Sequence, residues 1–155
     1  LEGWQGMEAT IEKINTRYKT SKWSNYAEMS MLVDRIRNNT SESDLIETCS
    51  WDNQIVWRTG RLQSSRFTLI HPVGMESRTG YMPYQHEWRQ ELALSIAERK
   101  PKYVVLATKP REFIATVIGR PRDLLLEIPG FAEALATGYI HDTTIACYEL
   151  YRRKD

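Results

Sequence analysis

A cluster of arginines is the most chemically distinctive feature of the sequence. Arg58, Arg61 and Arg66 fall within nine residues, around Gly60 and next to Trp57. A guanidinium group binds phosphate or carboxylate oxygens through paired hydrogen bonds, so these side chains are candidates for an anion-binding site. The alternative is that they are surface arginines that cap a loop. Both interpretations stay open on the sequence alone.

The other polar residues match no catalytic motif. The first predicted strand leads into Cys49-Ser50-Trp51-Asp52, where a dinucleotide-binding domain would have a glycine-rich turn. None of the serines lies in a G-x-S-x-G sequence. Carboxylates such as Glu47 and Asp142 cannot be given acid or base roles without geometry. We therefore predict no catalytic residue in this chain and no cofactor.

Histidine and cysteine spacing argues against a metal site. The three histidines are not at ligand spacing from one another or from the two cysteines, and the set is His71, His86, His141, Cys49 and Cys147. One disulfide is possible in an oxidising compartment. Two separate buried thiols are the favoured interpretation, because free cysteine often behaves as a small core residue.

Size and composition indicate one globular domain. The chain has 155 residues, 41% of them hydrophobic and 26% charged. Its net charge of +1 gives no support for nucleic-acid binding. No apolar run approaches the roughly 20 residues that span a bilayer. The chain begins with Leu1, and we interpret it as a fragment of a longer protein.

Alternating patterns predict the elements that position the arginine loop. Residues 1–24 are predicted to be a helical or linker segment, and residues 25–153 an α/β domain. Helices are predicted at 25–38, 51–59, 84–99 and 129–137, the second ending at Gly60 and the last at Gly138 as left-handed caps. Strands are predicted at 44–49, 65–70, 103–107 and 144–151, with a short helix near 112–118 and a polar turn at His141-Asp142.

This order of elements predicts the fold class. Helices alternate with strands, so we expect a single layered α/β domain with a partly parallel sheet flanked by helices. The apolar run Tyr103–Ala107 predicts a central strand that is buried on both faces. The last strands are expected to form an antiparallel C-terminal edge.

Several short segments also carry a resemblance in their order along the chain. They are residues 36–40, 45–48, Trp51, 55–61, 65–67, 97–106, 131–135, Tyr139 and 148–153. In this order the chain resembles the soluble C-terminal domain of bacterial membrane glycosyltransferases of the GT-C superfamily, which includes the dolichyl-phosphate-mannose protein mannosyltransferases. It differs where a glycine commonly follows the first strand, because Cys49-Ser50 stand there instead.

The resemblance implies a non-catalytic role. Catalytic carboxylates of such enzymes lie near the first transmembrane helices. The domain would lie at the extracytoplasmic (periplasmic or outer) face, pack on the transmembrane part of its own protein and help to shape the acceptor site. The partners that the resemblance implies, besides the transmembrane part, are polyprenyl-phosphate or a glycan acceptor. The alternative is a stand-alone α/β enzyme or an anionic-ligand-binding module that uses the arginine loop 57–67.

Overall fold

The computed structural model describes residues 26–69, 73, 83–109 and 121–155. Five helices and five strands follow one another in these ranges. In chain order they are α1 (Tyr26–Asn38), β1 (Leu45–Cys49), α2 (Gln54–Thr59), β2 (Leu62–Gln63), α3 (Gln85–Arg99), β3 (Tyr103–Ala107), α4 (Pro121–Leu126), α5 (Pro129–Gly138), β4 (Tyr139–Ile145) and β5 (Tyr148–Arg153).

The strands form one mixed sheet in the order β2-β1-β3-β5-β4. β1 pairs in parallel with both β2 and β3. Helices provide the crossovers that parallel strands need, since α2 lies between β1 and β2 in the chain and α3 lies between β2 and β3. β5 runs antiparallel to both β3 and β4, which makes the C-terminal edge antiparallel. The predicted fold class is therefore confirmed.

Two hydrophobic cores lie on opposite faces of the sheet. On one face, α1 and α2 cover a cluster that includes Leu32, Ile36 and Ile55. On the other face, α3, α4 and α5 cover a cluster that includes Ile96 and Phe131. The sheet thus lies between two layers of helices, and each helix turns its apolar stripe towards it.

β3 is the central strand, as its unbroken apolar sequence predicts. All five of its residues are buried, and its alternate side chains enter the two opposite cores. Val104 and Leu106 pack in the α3 core, whereas Tyr103 and Val105 pack in the α1 core. Neighbouring strands cover both of its hydrogen-bonding edges.

The predicted strand at 65–70 is wrong for residues 65–69, and residue 70 lies outside the described residues. β2 instead covers only Leu62–Gln63. The strand ends there because the Ser64 and Ser65 hydroxyl groups donate hydrogen bonds to the Glu47 carboxylate, and the backbone turns away from β1 instead of continuing to pair with it. Asp52 likewise shortens α2, because its side chain accepts the backbone N–H of Gln54 in a turn before the helix begins.

Two predictions about the C-terminal strands are also wrong. The turn lies at Ala146-Cys147, where it divides the predicted strand 144–151, rather than at His141-Asp142, and Ala146 has a positive φ of 53°. His141 and Asp142 belong to β4, where a bulge lies between the pairs formed by His141 and Thr143. Gly138 is the last residue of α5 and is not left-handed, because the chain passes straight into extended Tyr139.

Some sequence predictions lie outside the described residues: the segment 1–24, the start of the first helix at Asn25 and the short helix near 112–118. α4 was not predicted from the sequence. Cys49 and Cys147 are both buried thiols that form no disulfide, in agreement with the favoured interpretation. Among the described helices, none combines the length and apolar character needed to cross a membrane.

Candidate functional site

Gly60 shapes the arginine loop by ending α2. It has a left-handed conformation with φ of 66°, and its N–H donates to the carbonyl oxygens of Val56 and Trp57. A residue with a Cβ would be strained at this φ, so glycine is favoured here. The predicted cap at Gly60 is confirmed, and it sends the next residues straight into β2.

Arg58 and Arg61 both turn towards α1. The guanidinium of Arg58 donates to Ser30 Oγ at 2.7 Å. Arg61 donates to the hydroxyl and the carbonyl oxygen of Thr40, both at 2.9 Å. Ser30 and Thr40 are ten positions apart along a helix and its end, which corresponds to about 15 Å. These two arginines therefore hold two separate points of the loop against α1.

Arg66 lies on the other side of the loop. Its guanidinium forms an ion pair with Glu91 of α3 at 2.8 Å and stacks over the ring of Phe67, 5.2 Å from the centroid. The Arg66 side chain is largely exposed, and that of Glu91 is about half exposed. Since α1 and α3 cover opposite faces of the sheet, the structure places the three arginines on separate partners rather than around one oxyanion.

Trp57 points away from the domain, with 75% of its surface exposed. Met31 of α1, the helix that packs against α2, is also exposed, at 60%. Met31 and Trp57 are each next in sequence to one partner of the Ser30–Arg58 contact, which joins the two helices. We call Met31 and Trp57 the apolar surface. The two arginines hold the elements that present it.

A residue without a predicted role, Glu47, organises the turn after β2. Glu47 of β1 is fully buried. Its carboxylate accepts hydrogen bonds from three consecutive residues at the end of β2 and in the turn that follows it. It accepts bonds from Ser64 Oγ at 2.5 Å, from the N–H and the Oγ of Ser65 at 2.8 Å, and from Gln63 Nε2 at 3.0 Å. Arg99 of α3 fixes the same turn by donating to the carbonyl oxygen of Ser64 at 2.7 Å.

Burial dominates the electrostatics of Glu47. Loss of solvation raises the pKa of its carboxyl group from 4.5 to about 7, although the four hydrogen bonds oppose this shift. Burial also raises the pKa of the Cys49 thiol, and the nearby Glu47 adds to the effect. Cys49 is consequently held as an unreactive thiol. The sequence signal for this cluster was a glutamate in the middle of the first predicted strand.

Asp142 is the other carboxylate considered from the sequence, and it is paired. Its two oxygens accept bonds from Arg35 Nε at 3.0 Å and from Arg35 Nη2 at 2.8 Å. Hydrogen bonding to Arg35 lowers the pKa of Asp142 below its ordinary value. The bond joins α1 to β4, which explains why the bulge turns Asp142 towards the helix.

Metal binding finds no support in the described part of the chain. Within it, no three His, Cys, Asp or Glu side chains are grouped so that they could hold an ion. His141 contacts Thr144 and the edge of the Tyr151 ring, and His86 contacts Gln90. These contacts lie on separate elements.

Comparisons with known proteins give no relative for this chain: no family model, no curated protein and no solved structure matches it.

Arg61→Ala should lower the stability of the isolated domain. It removes the charged bonds to Thr40, and a bond to a charged group contributes about 1.5–3 kcal/mol. We expect a loss of about 2 kcal/mol, which lowers the melting temperature by about 5 °C in a domain of this size.

The matched control for this experiment is Arg66→Ala. Its ion pair with Glu91 is exposed, so its loss should cost less than about 1 kcal/mol. Equal melting temperatures for both variants would contradict the structural role of Arg61.

Proposed function

We propose that this chain is a non-catalytic extracytoplasmic domain of a polyprenyl-phosphate-sugar-dependent membrane glycosyltransferase. In this proposal the apolar surface packs on the transmembrane part of the same protein. The domain would then stand beside the membrane and shape the access of a glycan acceptor or of the polyprenyl-phosphate donor. The ordered resemblance of residues 25–153 to such domains is the basis on which we propose this family.

The apolar surface is the observation that carries the docking role. Met31 and Trp57 each expose more than half of their surface, although Ile36 and Ile55 of the same two helices are completely buried. Tryptophan is the residue most often found to anchor protein interfaces, and arginine often accompanies it. Here Arg58 and Arg61 fix the surface in place, which reduces the entropy lost when a partner binds.

The contacts of Glu47 and Asp142 support a non-catalytic domain. Glu47 is enclosed by the turn after β2 and is saturated with donors from residues 63–65. Asp142 is bonded on both oxygens by Arg35. A general base must reach the proton that it removes from a substrate, and neither group is placed to do so.

The alternative of an anionic-ligand module in the arginine loop has weaker support. A bidentate oxyanion site needs guanidinium groups that converge on one position. Arg58, Arg61 and Arg66 instead contact Ser30, Thr40 and Glu91. An anion would have to displace these contacts.

Trp57→Ala tests the docking role in the intact glycosyltransferase. Because the side chain is 75% exposed, the isolated domain should keep its melting temperature within about 1 °C. Loss of an aromatic anchor costs 2 kcal/mol or more at an interface, so we expect sugar transfer by the intact enzyme to fall by about tenfold or more.

Leu94→Ala is the matched control for Trp57→Ala. Leu94 is 55% exposed but lies on α3, on the opposite face of the sheet, so its loss should leave transfer unchanged. If Trp57→Ala leaves transfer at the level of this control, the docking role of the apolar surface is refuted.

The isolated domain should transfer no sugar and should not bind a nucleoside diphosphate sugar or zinc tightly. Calorimetry with UDP-glucose and with Zn²⁺, each titrated to about 1 mM, should give no saturable heat, since a dissociation constant near 1 mM already corresponds to only about 4 kcal/mol. Saturable micromolar binding of either compound would favour the stand-alone alternative instead.

A further inference from the structure

A groove lies on the α3 and α5 layer, away from the apolar surface. It has a volume of about 400 Å³, which is within the range of small-molecule sites. Its apolar lining includes Ile96, Ala97 and Ala134, where α3 and α5 pack together. Lys100, Arg153 and Lys154 line the same groove. An apolar floor therefore meets a basic rim.

Pairing of β3 with β5 creates this rim. Tyr103 pairs with Arg152, so the residues that precede β3 and those that follow β5 meet at one edge of the sheet. Residues 98–102 and 152–155 hold six basic and two acidic side chains, a local charge of +4. The rest of the chain has 15 basic and 18 acidic side chains, so the positive charge of the protein is concentrated here.

Part of the positive charge at the groove is engaged by helix ends. Lys154 Nζ donates to the carbonyl oxygens of Ala136 and Thr137 at the end of α5, and Arg153 donates to that of Lys100 at the end of α3. Each helix end contributes about half a negative charge. The three basic side chains at the groove carry three positive charges, and the two helix ends together offset about one of them. About two positive charges therefore remain, and Lys100 is exposed beside the groove.

We propose that this groove binds an anionic amphiphile through a phosphate-like headgroup and a hydrocarbon chain. The headgroup would contact Lys100, Arg153 and Lys154, and the chain would lie along Ile96, Ala97 and Ala134. A free phosphate would leave the apolar floor unused, and a neutral amphiphile would leave the basic rim unpaired. This inference is independent of the proposed docking of the apolar surface.

Titration with dodecyl phosphate below its micellar concentration tests the site. The methyl signals of Ala97 and Ala134 should shift in NMR spectra of the complete 155-residue chain. Dodecyl maltoside, which has the same chain but no charge, and inorganic phosphate, which has the charge but no chain, should each bind at least about tenfold more weakly. Equal binding of either probe would overturn the proposal.

Two variants test the two halves of the groove separately. Lys100→Gln should weaken dodecyl phosphate binding about fivefold, as expected for one basic residue beside an anionic group. Ala97→Trp should fill the groove and abolish binding without changing its charge. Lys109→Gln, which removes an exposed lysine beyond the other end of β3, is the control. If Lys100→Gln binds as well as this control, the headgroup assignment is wrong, whatever the stability of Ala97→Trp.

Vesicles distinguish the source of the ligand. Binding to phosphatidylglycerol vesicles that is competed by dodecyl phosphate would identify a bilayer lipid as the ligand. Binding of monomeric dodecyl phosphate without vesicle binding would identify a free amphiphile, and both results support the groove. Binding to phosphatidylglycerol vesicles that dodecyl phosphate does not compete, together with no binding of monomeric dodecyl phosphate, would place membrane contact elsewhere and overturn the assignment.

Discussion

Val105→Asp should unfold the protein. Val105 is completely buried in the central strand, between its partners Thr48 and Leu150 on the neighbouring strands. Val105 belongs to a core cluster of apolar side chains that includes Leu32, Ile36 and Leu150. An unpaired charge in such a place costs several kcal/mol, which is comparable to the whole stability of an ordinary domain of about 5–15 kcal/mol.

Circular dichroism and thermal melting measure this effect directly. Val105→Ala is the matched core control and should cost about 2 kcal/mol while the domain still folds. Ile140→Asp introduces the same charge at a position of edge strand β4 that is 41% exposed, and it should melt cooperatively. If Val105→Asp also melted cooperatively near the wild-type temperature, the central position of β3 would be refuted.

Glu47 should make the stability of the domain fall as pH rises. Its pKa is raised to about 7 in the folded state from an ordinary value of 4.5. Between these two values the folded state binds a proton that the unfolded chain does not. Stability is therefore highest below pH 4.5 and falls until the pH passes the folded pKa. From pH 5.5 to 8 the loss should be about 2 kcal/mol.

Glu47→Gln isolates this contribution. Urea denaturation of both proteins between pH 5.5 and 8 should show the wild type losing about 2 kcal/mol relative to the variant. The range stays above the region in which Asp142, whose pKa is lowered, would lose its bond to Arg35 on acidification. Parallel pH curves for the two proteins would show that Glu47 does not titrate in this range.

Long, strongly patterned elements were predictable from sequence because their patterns are local. β3 was predicted at its observed bounds, since an uninterrupted apolar run is typical of a strand covered on both faces. α3 was predicted within one residue, and Gly60 was correctly predicted as the end of α2. In these cases the residue's own chemistry determines its backbone conformation.

The sequence predictions were wrong where contacts with residues distant in sequence determine the backbone conformation. Residues 65–69 have strand-like composition, yet Ser64 and Ser65 bond to Glu47, which is 17 and 18 positions away. Asp142 looked like a turn residue, but its partner Arg35 is 107 positions away. The arginine cluster is equally instructive, because closeness in sequence did not bring its three guanidinium groups to one place.

The bulge in β4 also bears on self-association of the protein. β4 is an edge of the sheet, and a flat edge strand can template pairing with a second copy. At the bulge Asp142 is inserted between two paired residues, which interrupts the ladder and increases the local twist. The same residue carries a charge that is held inward by Arg35. An interrupted, charged edge strand disfavours pairing with a second copy of the sheet. The bulge in β4 therefore lowers the tendency of the protein to aggregate through this edge.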